Sequence, residues 1–136
     1  MGPCSSTAVH HREILFDPGD EAACSTGIAH VRQALADWQL TAADDGNAVL
    51  VAAELLTNAA KYAGGPQRLS IDHRGDRLHL AVTDPSPVSP RLGEHRPDTI
   101  GGHGIFLIDR IALRWGTRPD GTGKTVWADL ALPTAR

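Results

Sequence analysis

The chain has 136 residues, 41% of them hydrophobic and 21% charged, a mixture that supports one compact domain and excludes a disordered chain. Its net charge is -3 with Lys and Arg scattered, so no direct nucleic-acid partner is expected. No stretch approaches the ~20 apolar residues that span a bilayer, so no membrane is expected either.

Residues 1–10 read as a flexible lead-in, rich in Gly, Pro and Ser, and 11–136 as a single domain. Met1–His11 lacks a basic segment followed by an apolar one, which predicts no signal peptide. The two cysteines, Cys4 and Cys24, stand in no metal-type spacing, so a reducing cytoplasm is the expected compartment. Glu13–Phe16 is the first strand expected, closed by the turn signal Asp17-Pro18-Gly19-Asp20. Ile28, Val31, Leu35 and Trp38 recur at helical spacing and predict a helix over about 21–38. Thr41-Ala42-Ala43-Asp44 has the form of a capping box and opens a second helix, Ala43–Tyr62, which Ala63-Gly64-Gly65-Pro66 stops.

Two strands follow, Arg68–His73 and Arg77–Asp84, with Arg74-Gly75-Asp76 turning between them. Pro85–Gly102 holds four prolines, three glycines and little periodicity, the marks of a long functional loop or lid. A third helix is expected over Ile105–Leu113. Strands Arg114–Arg118 and Lys124–Leu132 close the chain around Asp120-Gly121-Thr122-Gly123. Helices and hairpins are segregated rather than alternating. This predicts an α+β fold, a two-layer sandwich with a mostly antiparallel sheet and helices on one face.

Three groups of residues could carry chemistry. Glu54 and Asn58 are four apart on the second helix, and Lys61 lies three further on, so all three share a face. That face is either the solvent side of an amphipathic helix or a polar site on an otherwise apolar one. Asp84 falls in phase with Leu78, Leu80 and Val82, which points its carboxylate inward at a strand end. It either caps its own turn at Pro85-Ser86 or accepts a donor such as the exocyclic amine of a nucleotide base. Gly101-Gly102-His103-Gly104 leads into a helix, where free N–H groups suit phosphate, although loop glycines alone would read the same way. Gly121-Thr122-Gly123-Lys124-Thr125 is not a P-loop, because Arg118 stands where its first glycine belongs and a strand pattern follows.

The order and spacing of these groups resemble one family. Glu54-Leu55-Leu56-Thr57-Asn58-Ala59-Ala60-Lys61-Tyr62 resembles the N box of histidine-kinase-like ATPases. Ala81-Val82-Thr83-Asp84 resembles the start of their first glycine box, and Gly101-Gly102-His103-Gly104-Ile105-Phe106-Leu107-Ile108-Asp109 the second. Gly123-Lys124-Thr125-Val126 resembles the last nucleotide-binding segment, and the likeness runs from about Phe16 to Leu132. The short length and the helix ending in Ala36-Asp37-Trp38 look most like anti-sigma-factor serine/threonine kinases.

The resemblance implies the Bergerat-type ATP-binding fold, with ATP and Mg²⁺ as ligands. It implies that Asn58 holds the Mg²⁺, that Glu54 is the general base and that Lys61 reaches a phosphate. Asp84 would accept the adenine amine and Thr125 would close the adenine end. Gly101, Gly102 and Gly104 would let the backbone wrap the phosphates, which face the helix N-terminus at Ile105, and Pro85–Thr99 would form the lid. An anti-anti-sigma-type protein or a sigma factor is the partner implied, and a homodimer the assembly. In one respect the chain departs from the family. The first glycine box often continues as D-x-G-x-G, whereas Asp84-Pro85-Ser86-Pro87 has no glycine, a stiffer loop and fewer N–H donors.

Overall fold

A computed structural model of the chain describes residues 9–41, 46–88 and 104–132. Its elements are β1 (Val9–Leu15), α1 (Ala23–Asp37), α2 (Asn47–Tyr62), β2 (Arg68–Arg74), β3 (Arg77–Asp84), α3 (Gly104–Ile111), β4 (Arg114–Asp120) and β5 (Gly123–Ala131). The five strands form one sheet in the order β1-β2-β3-β5-β4, and every neighbouring pair is antiparallel. The fold is therefore α+β, as the segregation of helices and hairpins predicts.

Alternation along the strands sorts the two faces of the sheet. Leu69 and Ile71 of β2, Leu78, Leu80 and Val82 of β3, and Val126, Ala128 and Leu130 of β5 are buried in a single core. Val51, Ala52, Leu55, Leu56 and Ala59 of α2, Val31, Ala34 and Leu35 of α1, and Ile108 of α3 complete it. The α2 helix crosses the centre of the sheet over β3 and β5, with α1 and α3 on either side of it. The opposite face is polar, with His79, Asp129, Asp72, Thr83 and Thr125 in adjoining register positions.

β1 starts at Val9, four residues before the expected strand and within the supposed lead-in. Its inward positions are His10, Arg12 and Ile14, so alternation of apolar residues could not reveal it. What fixes this stretch is aromatic and charge packing. The His10 ring stacks on Trp38 at 5.1 Å and on His73 at 5.4 Å. Arg12 lies over the Trp38 ring at 5.7 Å and pairs with Asp37 at 2.7 Å. α1 ends when Leu40 N–H returns to Leu35 and Gln39 N–H to Ala36, with Gln39 at a φ of 60°, a Schellman-type close made without glycine. α2 is described from Asn47, behind Gly46 at a φ of 88°; of the expected capping box Thr41-Ala42-Ala43-Asp44, residues 42–44 lie outside the described residues. β4 runs two residues beyond its expected end, to Asp120.

The start of β5 has no spare room. A Cβ on Gly123 would stand 2.0 Å from the Asp84 carbonyl oxygen and 2.8 Å from Pro85 Cα. Both are backbone atoms, which cannot swing aside as the end of a side chain can. Gly123→Ala should therefore destabilise the protein by about 3 kcal/mol, the upper end of overpacking costs, as read by urea denaturation. A second expectation concerns His30. Burial, and then the charge of Arg12, push its pKa below the ordinary 6.5. Below 6.5 the unfolded chain takes up a proton that the folded chain resists, so this contribution to stability is lost as pH falls through the native value. His11 acts in the opposite sense, because its hydrogen bond to Asp72 raises its pKa. The His30 term is thus isolated by difference: His30→Gln should gain stability relative to wild type between pH 7.5 and 5.5, measured by denaturation at each pH.

Candidate functional site

The Asp84 carboxylate is placed by the period of β3. It closes the inward series Leu78, Leu80, Val82, and its residue is only 1% exposed. One oxygen is fully engaged. Oδ1 accepts the Ser86 N–H at 2.9 Å and the Lys124 ammonium at 3.0 Å. The other oxygen, Oδ2, is buried and has no hydrogen-bond partner among the described residues. The turn-capping reading of Asp84 is therefore met at Oδ1, while Oδ2 is left open to a donor. A buried carboxylate oxygen without a donor is costly, so this atom marks a place for a ligand N–H or a water.

Lys124 was not among the expected site residues. It faces Asp84 directly across the β3–β5 register, its side chain is 5% exposed, and its Nζ also donates to the Ser86 carbonyl at 3.2 Å. Inward phase on β5 could have revealed it, because Lys124 alternates with Val126, Ala128 and Leu130. Its position beside a turn hid the pattern.

The same register corrects the role expected of Thr125. Thr125 pairs with Thr83, so its side chain leaves on the opposite face of the sheet from Asp84. There the two hydroxyls lie 2.7 Å apart, and Thr125 Oγ1 donates to Asp120 at 3.1 Å. Arg68 Nη2 donates to both Thr83 and Asp120. Thr125 belongs to a polar clasp that ties β2, β3, β4 and β5 together, rather than to the pocket of Asp84.

Glu54, Asn58 and Lys61 line one flank of α2, beside the buried stripe of Val51 and Leu55. Asn58 is buried at 9% exposure, Glu54 half-buried and Lys61 exposed. The burial of Asn58 departs from a plain solvent face, whereas Lys61 is exposed as such a face would be. Gly64 and Gly65, both at positive φ, stop α2, and a Cβ on Gly64 would touch Pro85 Cγ at 3.3 Å. The C-terminal end of α2 is thereby seated beside the Asp84 turn. Gly104 opens α3, with the Ile105 backbone in its first turn. Gly101, Gly102 and most of the expected lid, residues 89–99, lie outside the described residues. A cleft of about 560 Å³ opens nearby between Phe16, Pro18, Ala60, Gly64 and Pro85. None of Glu54, Asn58 and Asp84 lines that cleft, so its volume is no measure of the candidate site.

The sandwich carries Glu54 and Asn58 on the helix that packs over β3, and β3 ends in the inward carboxylate of Asp84. The chain belongs to the histidine kinase-like ATPase domain family, whose model matches residues 18–130. A comparison with curated proteins returns no match. Among the described residues no helix is long and apolar enough to cross a membrane.

The position of Thr125 has a direct test. Thr125→Val should lower stability by about 1–3 kcal/mol, the cost of stranding buried polar partners, and leave ATP affinity unchanged. Denaturation and calorimetry on the same preparation separate the two effects.

Proposed function

We propose that the protein is an ATP-binding regulator that works as a serine/threonine protein kinase and anti-sigma factor on an anti-anti-sigma-type partner. The observation that carries the ATP site is the free, buried Oδ2 of Asp84, an acceptor suited to the adenine amine. The observation that favours catalysis is Glu54 one turn from Asn58 on α2. When bound, ATP would supply the phosphoryl group and leave as ADP, and Mg²⁺ would offset the charge of the phosphates. In this reading Asn58 offers its amide oxygen to that ion. Glu54 takes the proton of a partner serine hydroxyl as general base. Lys61 would add positive charge toward the phosphates, and Gly101, Gly102, Gly104 and Ile105 would be the residues that hold them by backbone N–H groups. The work is cytoplasmic, and a homodimer is the assembly.

A second reading is favoured by the turn after Asp84. Ser86 N–H is bonded to Asp84, Val88 N–H to the Ser86 hydroxyl, and Pro85 and Pro87 fix two φ angles. Such a braced turn suits a module in which ATP sets a shape for gripping a partner, without transfer of phosphate.

Calorimetry with Mg²⁺ and ATP tests the site. Asp84→Asn should weaken ATP binding by about 1–3 kcal/mol, as expected for a hydrogen bond to a charged group. Absence of binding to the wild type would remove the ATP reading. Glu54→Ala should keep ATP binding and abolish phosphorylation of a cognate partner; ATP-dependent partner binding with no phosphate transfer by the wild type selects the module instead.

A further inference from the structure

From the bonding of Asp84 we infer that Lys124 sets the base selectivity of the site, by saturating one carboxylate oxygen and leaving the other to a base with a single amine donor. This inference rests on the ATP reading above.

A carboxylate oxygen has two lone pairs. Both of those on Asp84 Oδ1 are taken, one by Ser86 N–H at 2.9 Å and one by Lys124 Nζ at 3.0 Å. Lys124 is itself held in place, because Nζ also donates to Ser86 O at 3.2 Å and its side chain is 5% exposed. Gly123, in backbone contact with Asp84 and Pro85, allows β5 to come this close. The carboxylate therefore presents Oδ2 alone. The 6-amino group of adenine needs one acceptor. Guanine offers N1–H and N2–H side by side, a pair that matches a carboxylate across both oxygens. With Oδ1 filled, that two-point match is denied. A carboxylate without Lys124 has no such bias, because its second oxygen regains a free lone pair.

Arginine at this position makes a sharper case. Its planar guanidinium forks onto both oxygens of a carboxylate, which a point-charge ammonium does not. Lys124→Arg preserves the buried charge pair but also donates to Oδ2, the oxygen left for the adenine amine, and so competes with it.

The experiment measures ATP and GTP binding to wild type, Lys124→Met and Lys124→Arg by calorimetry, with a melting temperature for each protein. The wild type should prefer ATP. Lys124→Met should shrink the ATP-over-GTP preference by about tenfold or more, the scale of one hydrogen bond to a charged group. Lys124→Arg should fold and weaken ATP by at least about tenfold, because its fork competes with the adenine amine for Oδ2. A residue that only braced the fold would move the melting temperature and leave the nucleotide ratio alone. Should Lys124→Met fail to fold, Lys124→Arg decides. An Arg variant that binds ATP like the wild type, or that does not fold, overturns the inference, as does a Met variant with the preference intact; the ATP site stands in each case. A wild type that binds neither nucleotide overturns the ATP reading itself.

Discussion

A carboxylate at the inner end of a central strand has to be paired, and the pairing of Asp84 with Lys124 organises this end of the molecule. The pair lies at the β3–β5 junction, where the apolar register of Val82 with Val126 stops. Burying two charges is costly, and an apolar pair of similar volume is often as stable. Stability of the sheet therefore gives little reason for Asp and Lys in this position. What the pair does provide is a fixed direction. Ser86 N–H and Lys124 hold one oxygen of Asp84, so the other is oriented without any ligand present. A group oriented in advance binds with less loss of side-chain freedom on association.

Several neighbouring features serve the same junction. Gly123 has no Cβ, which lets β5 pass against the Asp84 carbonyl. On the far face of the sheet, Thr83, Thr125, Arg68 and Asp120 fasten the same register from the other side. The C-terminal end of α2 packs on Pro85 through Gly64. The polar clasp, the buried pair and the helix end thus fix three sides of one short turn, and the helix flank with Glu54 and Asn58 is referred to that same frame.

Much of the fold was legible in the sequence because its core obeys simple periods. Leu78, Leu80 and Val82 alternate, α2 is apolar over most of its surface, and glycine or proline punctuates most ends. Asp84 was legible for the same reason, as a polar residue at an apolar phase. The first half of β1 was not, because its inward residues there are His10 and Arg12, stabilised by Trp38 just after α1 and His73 from β2. No local pattern encodes a contact between residues so far apart in the chain. Thr125 shows the converse limit. The motif around it identified the right strand, yet a residue next to an inward position faces the opposite side, and only the register shows that Lys124 is the inward one.

The departure from the family's first glycine box is best understood through these contacts. A glycine-rich segment after the strand-end Asp would leave the turn free to move, and a ligand would have to order it. Here Pro85 and Pro87 limit the backbone, Asp84 and Ser86 each accept an N–H two residues ahead, and Lys124 ties Ser86 O to β5. Order that glycines would leave to the ligand is built into the chain. The turn that follows Asp84 is thus braced by its own residues and by Lys124. In such an arrangement the direction of the Asp84 carboxylate is set by Ser86 and Lys124 rather than by a bound group.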